Sequence, residues 1–165
     1  MIFKLSVTAL STLALLWSPA KCQTPEAIAA PGETKVLQVQ AEGSQLYECK
    51  SDAAGKLSWQ FREPIATLLS EGKTIGRHYA GPNWELQDGS AVVGKVVARA
   101  AGATKTDVAW LKLDAIAERG HGLLSGVTTI QRINTKGGGA EGACNSEGSL
   151  LNVPYSSDYV FLRRN

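Results

Sequence analysis

The chain has 165 residues, among them 17 glycines and a single methionine, and its formal net charge at pH 7 is +2. This length suits one domain with its own hydrophobic core rather than two domains. The many glycines favour strands and tight turns over packed helices. Because lysine and arginine are scattered and nearly balanced by acidic residues, the composition excludes a strongly basic protein, and no nucleic-acid partner is expected.

The N-terminal residues have the pattern of a signal peptide. Lys4 supplies a positive charge, residues 5–17 are uncharged and mostly apolar, and residues 18–20 offer small side chains to a peptidase. The apolar run is too short to span a bilayer, so the mature chain is expected to have no integral membrane segment. The protein is therefore expected to be exported, to a periplasm or outside the cell.

The point of cleavage stays open between Ala20 and Cys22. An uncleaved anchor is the alternative to cleavage, and a lipid-modified Cys22 is disfavoured because Lys21 stands where a small residue should precede it. Loss of residues 1–22 removes two lysines and no acidic residue, which lowers the net charge from +2 to 0. After this signal peptide, residues 23–34 are expected to form a loosely ordered lead-in and residues 35–165 a single β domain.

Two cysteines remain if cleavage follows Cys22, and they are Cys49 and Cys144. Two cysteines in an oxidising compartment normally pair. The loop between them is long, and the chain-entropy effect of closing such a loop stabilises a protein by up to about 4–5 kcal/mol. The sequence therefore predicts one disulfide, with two buried free thiols as the alternative.

Short segments of alternating apolar and polar residues recur along the chain. The clearest is residues 57–62, where Leu57, Trp59 and Phe61 share a face that is expected to lie in the core. The pattern predicts roughly eight strands and an all-β, mainly antiparallel fold, either a β-sandwich or a small closed barrel. At most a short helix is expected near residues 64–70, where a proline suits a first helical turn and a short strand is the alternative.

Several motifs in the middle and at the end of the chain resemble the pattern of a known family. They are HYAGPNWE at 78–85, DGS at 88–90, IQRINT followed by glycines at 130–138, Cys144, and VPY at 153–155. The pattern resembles a family of exported bacterial and fungal proteins that is catalogued only as a domain of unknown function. The resemblance covers nearly the whole mature chain, implies export and a single domain, and implies no activity.

The first of these motifs holds the candidate ligand-binding residues, which are His78, Tyr79, Trp84 and Glu85. Aromatic faces stack on ligands, and an imidazole and a carboxylate make directed hydrogen bonds. A Gly-Pro pair lies between them and is expected to bend one continuous strand, which can turn neighbouring side chains toward solvent. The alternative is that Trp84 fills the core and that a buried His78 fixes the bend.

The sequence holds no complete catalytic or metal-binding motif. Only two histidines occur, His78 and His121, and a zinc site needs three or four ligands, so neither a metal nor a cofactor is expected. The glycines at 137–139 lack the Lys-Ser/Thr ending of a phosphate-binding loop and are expected to form a flexible loop.

These observations favour an exported, non-catalytic β domain of unknown function, acting as a binding or envelope-associated module. Its expected ligand is a carbohydrate or another small molecule. The alternative is an exported hydrolase or isomerase that uses His78 with Glu85 or Asp88, which requires these side chains to converge in one cleft.

Overall fold

The computed structural model describes residues 24–165, so the predicted signal peptide at 1–22 lies outside the described residues. Its antiparallel strands follow one another in chain order, and the first also pairs with the last, which closes the sheet. The strands are β1 (Glu33–Ser51), β2 (Leu57–Ser70), β3 (Lys73–Tyr79), β4 (Asn83–Leu86), β5 (Ala91–Ala100), β6 (Trp110–Arg119), β7 (Thr129–Gly137) and β8 (Leu150–Arg164). Within residues 24–165, no helix has the length and apolar character needed to cross a membrane.

The prediction of an all-β fold is confirmed, and the pairing of β1 with β8 makes it a closed barrel rather than a sandwich. Residues 64–70 continue strand β2 and form no helical turn. Pro64 lies opposite Gln45, close to a bulge that inserts one extra residue into β2. A proline has no N–H to donate to a ladder, and it is tolerated beside such an irregularity.

Alternate side chains of every strand point into the barrel, because successive residues of a strand face opposite sides of the sheet. Apolar side chains fill the end at which β1 begins. Leu124 and Val127, from the connection between β6 and β7, are buried there and close that end. The buried strand residues of this filled end are Leu68, Leu86, Val92, Leu113, Ile130 and Phe161.

The lead-in is more ordered than the sequence analysis expects. Residues Glu26–Ile28 form a short 3-10 helix, and the Ile28 side chain is completely buried. Gln131 Nε2 donates a 2.7 Å hydrogen bond to the Ile28 carbonyl, and Lys112 Nζ donates one of 3.0 Å to the Ala29 carbonyl. Both donors come from strands distant in sequence, so no local pattern in the lead-in predicts this packing.

Two expectations about local structure are wrong. Phe61 is 54% exposed and Trp59 only half-buried, because this part of β2 lies at the open end of the barrel, where its inner face has no core to meet. The Gly-Pro pair does not bend a single strand. Residues 80–82 form a turn that joins β3 to β4 as an antiparallel hairpin, with His78 directly opposite Trp84.

The glycines at 137–139 are held in place rather than flexible. The Gly137 amide donates to the Asp107 carboxylate at 2.6 Å, and the Gly138 carbonyl accepts a 2.7 Å hydrogen bond from the Tyr47 hydroxyl. Gly138 has φ +83°, and a Cβ at this position would lie 2.8 Å from the Tyr155 Cβ, so only glycine fits.

The predicted disulfide is present and joins β1 to the long connection between β7 and β8. Cys49 and Cys144 are bonded, with their Cα atoms 5.9 Å apart. The same connection pairs with the start of β2 through the Ser58–Ala143 bridge. The disulfide therefore ties a long loop to the rim at the open end of the barrel.

Replacement of both cysteines, Cys49→Ala with Cys144→Ala, should lower the free energy of unfolding by about 2–4 kcal/mol. The reason is that the unfolded chain regains the conformational freedom of a loop that spans 95 residues of sequence separation. Urea unfolding of the variant and the parent measures the difference. The reduced parent should match the variant, whereas equal stability of oxidised parent and variant would contradict the expectation.

Candidate ligand-binding cavity

A cavity of about 840 Å³ occupies the open end of the barrel. Inward-facing residues of the strands form its wall, and the connections at 80–82, 101–109 and 138–149 surround its opening. Small-molecule sites in proteins typically measure about 300–1,000 Å³, so this cavity has the size of a ligand site. An antiparallel barrel of eight strands is just wide enough to be filled by side chains or to hold one small ligand.

The cavity wall combines aromatic, aliphatic and charged side chains. The aromatic residues His78, Trp84 and Tyr159 are buried, whereas Phe61 is exposed. The aliphatic part consists of Pro64, Val96, Val108, Leu111 and Leu113. Such a wall fits a ligand with an apolar body and a polar group.

His78, Trp84 and Tyr159 form an aromatic cluster at the bottom of the cavity. The His78 ring stacks on the Trp84 indole with centroids 4.5 Å apart and planes 10° from parallel. Tyr159 meets both rings edge-on, at 4.9 Å from His78 and 5.1 Å from Trp84. Gly94 lies beside the indole, and a Cβ there would stand 2.9 Å from Trp84 Cζ3, so the cluster leaves no room for a larger residue.

His78 is a neutral, buried part of this cluster. Burial lowers its pKa to about 3, because the charged imidazolium would lose its hydration. The Nδ1 atom lies 2.8 Å from the Asn83 carbonyl oxygen, which makes Nδ1 the protonated nitrogen of the neutral ring. The alternative expected a buried His78 that fixes a bend; His78 is buried and hydrogen-bonded, but it lies beside the turn between β3 and β4 instead of a bend.

Arg132 brings a positive charge onto the inner face of the barrel. It pairs in register with Leu111 on one side and Tyr159 on the other, and both of these line the cavity. Its Nε and Nη2 atoms donate to the Ala109 carbonyl at 3.1 and 2.9 Å. Among the described residues, no carboxylate lies within 4.0 Å of its guanidinium.

Several buried polar atoms near the cavity have no hydrogen-bond partner among the described residues. Gln45 Nε2, Trp84 Nε1 and Tyr159 Oη belong to side chains that line it, and each of these residues is 1% exposed. The Ser157 hydroxyl on the inner face of β8 is also unpartnered, and the Tyr155 hydroxyl on the same face neighbours the Gln45 and Tyr159 side chains. A buried polar group without a hydrogen-bond partner lowers the free energy of unfolding by about 1–3 kcal/mol. Such groups do not stabilise the fold, so a cluster of them needs an explanation other than stability.

The structure divides the candidate residues between the two faces of the sheet. His78 and Trp84 face the cavity, whereas Tyr79 and Glu85 lie on the outer surface. There Glu85 accepts hydrogen bonds from the Tyr79 hydroxyl at 2.8 Å and from Arg77 and Arg119 at 3.0 and 2.8 Å. The hydrogen bond from Tyr79, followed by that from Arg77, lowers the pKa of Glu85.

The imidazole and carboxylates named for catalysis do not meet in one cleft. Glu85 lies on the opposite face of the sheet from His78, and Asp88 lies in the turn at the filled end of the barrel. Asp88 accepts hydrogen bonds from the Ser90 hydroxyl and the Leu123 amide, so it fixes a turn. Within residues 24–165, no three histidine, cysteine or acidic side chains gather as metal ligands would.

Sequence reasoning missed most of the cavity-lining residues, above all Gln45, Arg132 and Tyr159. One signal for Arg132 is visible in the sequence. It lies two positions after Ile130, so in a strand it must share the face of a core residue, which is an unusual place for a charge. The alternation of residues in the sequence carries no such signal for the other cavity-lining residues, Gln45 and Tyr159.

Fold and cavity together define the class of protein: an up-and-down antiparallel barrel, closed at one end and open at the other, with one cavity of ligand size at the open end. The chain belongs to the family described as Protein of unknown function (DUF3455), which it matches over residues 30–163. No curated protein and no solved structure matches the chain.

The buried His78 predicts a loss of stability on mild acidification. Its pKa in the folded protein is about 3, below the value near 6.5 of an unfolded chain, so between these pH values the unfolded state binds one more proton. The free energy of unfolding should therefore fall as the pH is lowered from about 6.5 toward 3. In the middle of this pH range it should fall by about 1.4 kcal/mol per pH unit.

Urea unfolding of the parent and of His78→Gln at pH 6.5, 5.5 and 5.0 measures this slope, because the variant should lose it. His121→Gln is the control, since His121 is exposed and its removal should leave the slope unchanged. Equal slopes for the parent and His78→Gln would show that His78 is not held neutral by burial.

Proposed function

We propose that the protein is a non-catalytic binding protein that takes a small molecule into the open end of the barrel. The observation that carries this proposal is the cavity of about 840 Å³, with aliphatic and polar side chains in its wall. Most ligand sites combine an apolar wall with a few polar groups that orient the ligand. The family description states no activity, so the proposal rests on the geometry of this chain.

A binding role is favoured over catalysis by the positions of the ionisable side chains. An acid–base mechanism with His78 needs a carboxylate in the same cleft, and Glu85 and Asp88 lie elsewhere. A neutral imidazole stacked on Trp84 and held by a backbone carbonyl is a wall residue, not a group poised to transfer protons.

The ligand is proposed to be a small molecule with an apolar body rather than a carbohydrate. A sugar stacks on an open aromatic face, and Trp84 is 1% exposed with one of its faces covered by His78. Among the aromatic residues that line the cavity, Phe61 at its opening is the one that is exposed to solvent. A carbohydrate at Phe61 is therefore the second candidate.

Export is part of the proposal, either to a periplasm or to the outside of the cell. Its supports are the signal-peptide pattern in residues 1–22 and the Cys49–Cys144 bond, because disulfides persist in oxidising compartments. A protein of this kind would carry or sequester a ligand outside the cytoplasm.

The uncharged dye N-phenyl-1-naphthylamine, which fluoresces on entering an apolar site, tests the cavity. We expect the parent to bind it and Val96→Trp to bind it about tenfold more weakly, which corresponds to about 1.4 kcal/mol. The reason is that Val96 lines the cavity, and a larger side chain there occupies its apolar part. Fluorescence titration of each protein measures the dissociation constant.

Val97→Trp is the matched control, because it places the same side chain on the neighbouring residue, which is 49% exposed and does not line the cavity. It should bind the dye as the parent does. Circular dichroism and thermal unfolding check that both variants are folded. No binding by the parent, or equal binding by both variants, would count against a ligand site inside the barrel.

A further inference from the structure

We propose that the ligand is a small organic anion, and that its carboxylate binds the guanidinium of Arg132 inside the barrel. This inference rests on the proposed function, because it names the chemical class of molecule that the same cavity takes. It is carried by the position of an unpaired positive charge on the inner face of the barrel, oriented by the Ala109 carbonyl.

Arg132 is oriented by the protein but not neutralised by it. The Ala109 carbonyl accepts hydrogen bonds from Nε and Nη2, which fixes the plane of the guanidinium. Nη1 donates to no acceptor among the described residues, so the edge of the fork formed by Nη1 and Nη2 keeps free N–H groups. Two parallel N–H donors at the end of a guanidinium match the two oxygens of a carboxylate.

Arg132 has no surface carboxylate as a partner among the described residues, so its positive charge acts on the buried groups around it. Burial is the main cause that raises the pKa of Tyr155, and the positive charge of Arg132 acts on the same group in the opposite direction. The guanidinium is half-buried and pairs in register with two cavity-lining residues. A charge held in a partly desolvated site without a counter-ion is costly, and an anionic ligand would supply the counter-ion.

The other charges at the cavity strengthen this preference. Arg99 and Lys105 line the cavity and form no ion pair within the described residues, while Arg62 is paired with Glu63 at 3.3 Å. Two acidic side chains also line the cavity, Glu141 and Asp107, and Asp107 accepts hydrogen bonds from Thr104 and from a backbone amide. The lining thus holds four basic and two acidic side chains. A cleft lined mainly by one sign of charge concentrates its potential and attracts ions of the opposite sign.

The position of Arg132 also predicts how the ligand lies. Its register neighbour Leu111 and the nearby Leu113 and Val96 form the aliphatic part of the wall. A ligand with its carboxylate at Arg132 would place an apolar body against these side chains. The expected ligand class is thus a small carboxylic acid with an apolar ring or chain of modest length.

The probes that test this inference are 2-naphthoate and 2-naphthamide, which share one shape and differ in charge. Isothermal titration calorimetry of the parent at pH 7 should give at least about tenfold tighter binding for the carboxylate, since hydrogen bonds to charged groups exceed neutral ones by this order. Arg132→Gln should reduce the difference between the two probes to about twofold or less and leave the binding of 2-naphthamide unchanged.

Arg119→Gln is the matched control, because it removes the same charge from the outer face of the barrel, where Arg119 pairs with Glu85. It should preserve the preference for the carboxylate. Arg132→Lys keeps the charge and loses the fork, so it should show an intermediate preference. If Arg132→Gln does not fold by circular dichroism, Arg132→Lys and the two probes on the parent still decide the question.

Equal affinities of the two probes for the parent would overturn the inference, as would an unchanged carboxylate preference in Arg132→Gln. Absence of 2-naphthoate binding in a parent that binds the uncharged dye would also overturn it and would leave the proposed function standing. Failure of the parent to bind the uncharged dye and both probes would instead remove the proposed function itself. The two failures are therefore distinguishable.

Discussion

The pairing of the first strand with the last is the constraint on which the rest of the structure depends. β1 is 19 residues long and hydrogen-bonds to β2 along one edge and to β8 along the other. This double pairing leaves no free edge in the sheet and separates an inner face from an outer one. The face on which a strand residue lies decides whether its side chain points into the barrel or toward solvent. The cavity is the unfilled part of the space that the inner face encloses.

The two ends of the barrel have different roles because the chain closes only one of them. At the filled end, Leu124 and Val127 pack onto the strand residues of the core. At the open end, the connection that carries Cys144 is bonded to β1 and held by the Tyr47 hydroxyl, so it borders the cavity without filling it. These connections surround a space that the protein does not fill itself, and the Ala109 carbonyl holds the Arg132 guanidinium at its wall.

Much of the fold could be predicted from the sequence because its signals are local or covalent. Alternation of apolar and polar residues predicted strands, and Cys49 and Cys144, in a chain with a signal-peptide pattern, predicted the disulfide. The candidate site was predicted only in part. His78 and Trp84 do line the cavity, whereas Tyr79 and Glu85 point to the other side of the same hairpin.

Local patterns were least informative about packing across the barrel. Leu57, Trp59 and Phe61 have the alternation of a core strand, yet none of them is fully buried, and Phe61 lines the open cavity. Ile28 stands in a segment with no strand or helix pattern, yet it is fully buried because Gln131 and Lys112 bind the adjacent carbonyls. In both cases the decisive neighbour lies far away in the chain.

The sequence by itself determined the all-β class of the fold and the pairing of Cys49 with Cys144, because these depend on patterns within a few residues or on a covalent bond. Only the tertiary structure decided between sandwich and barrel, and only it decided which of the two alternating faces is inside. The physical reason is that closure depends on the pairing of β1 with β8, across more than a hundred residues of chain. That pairing places Arg132, Gln45 and Tyr159 in one cavity, and no local pattern contains it.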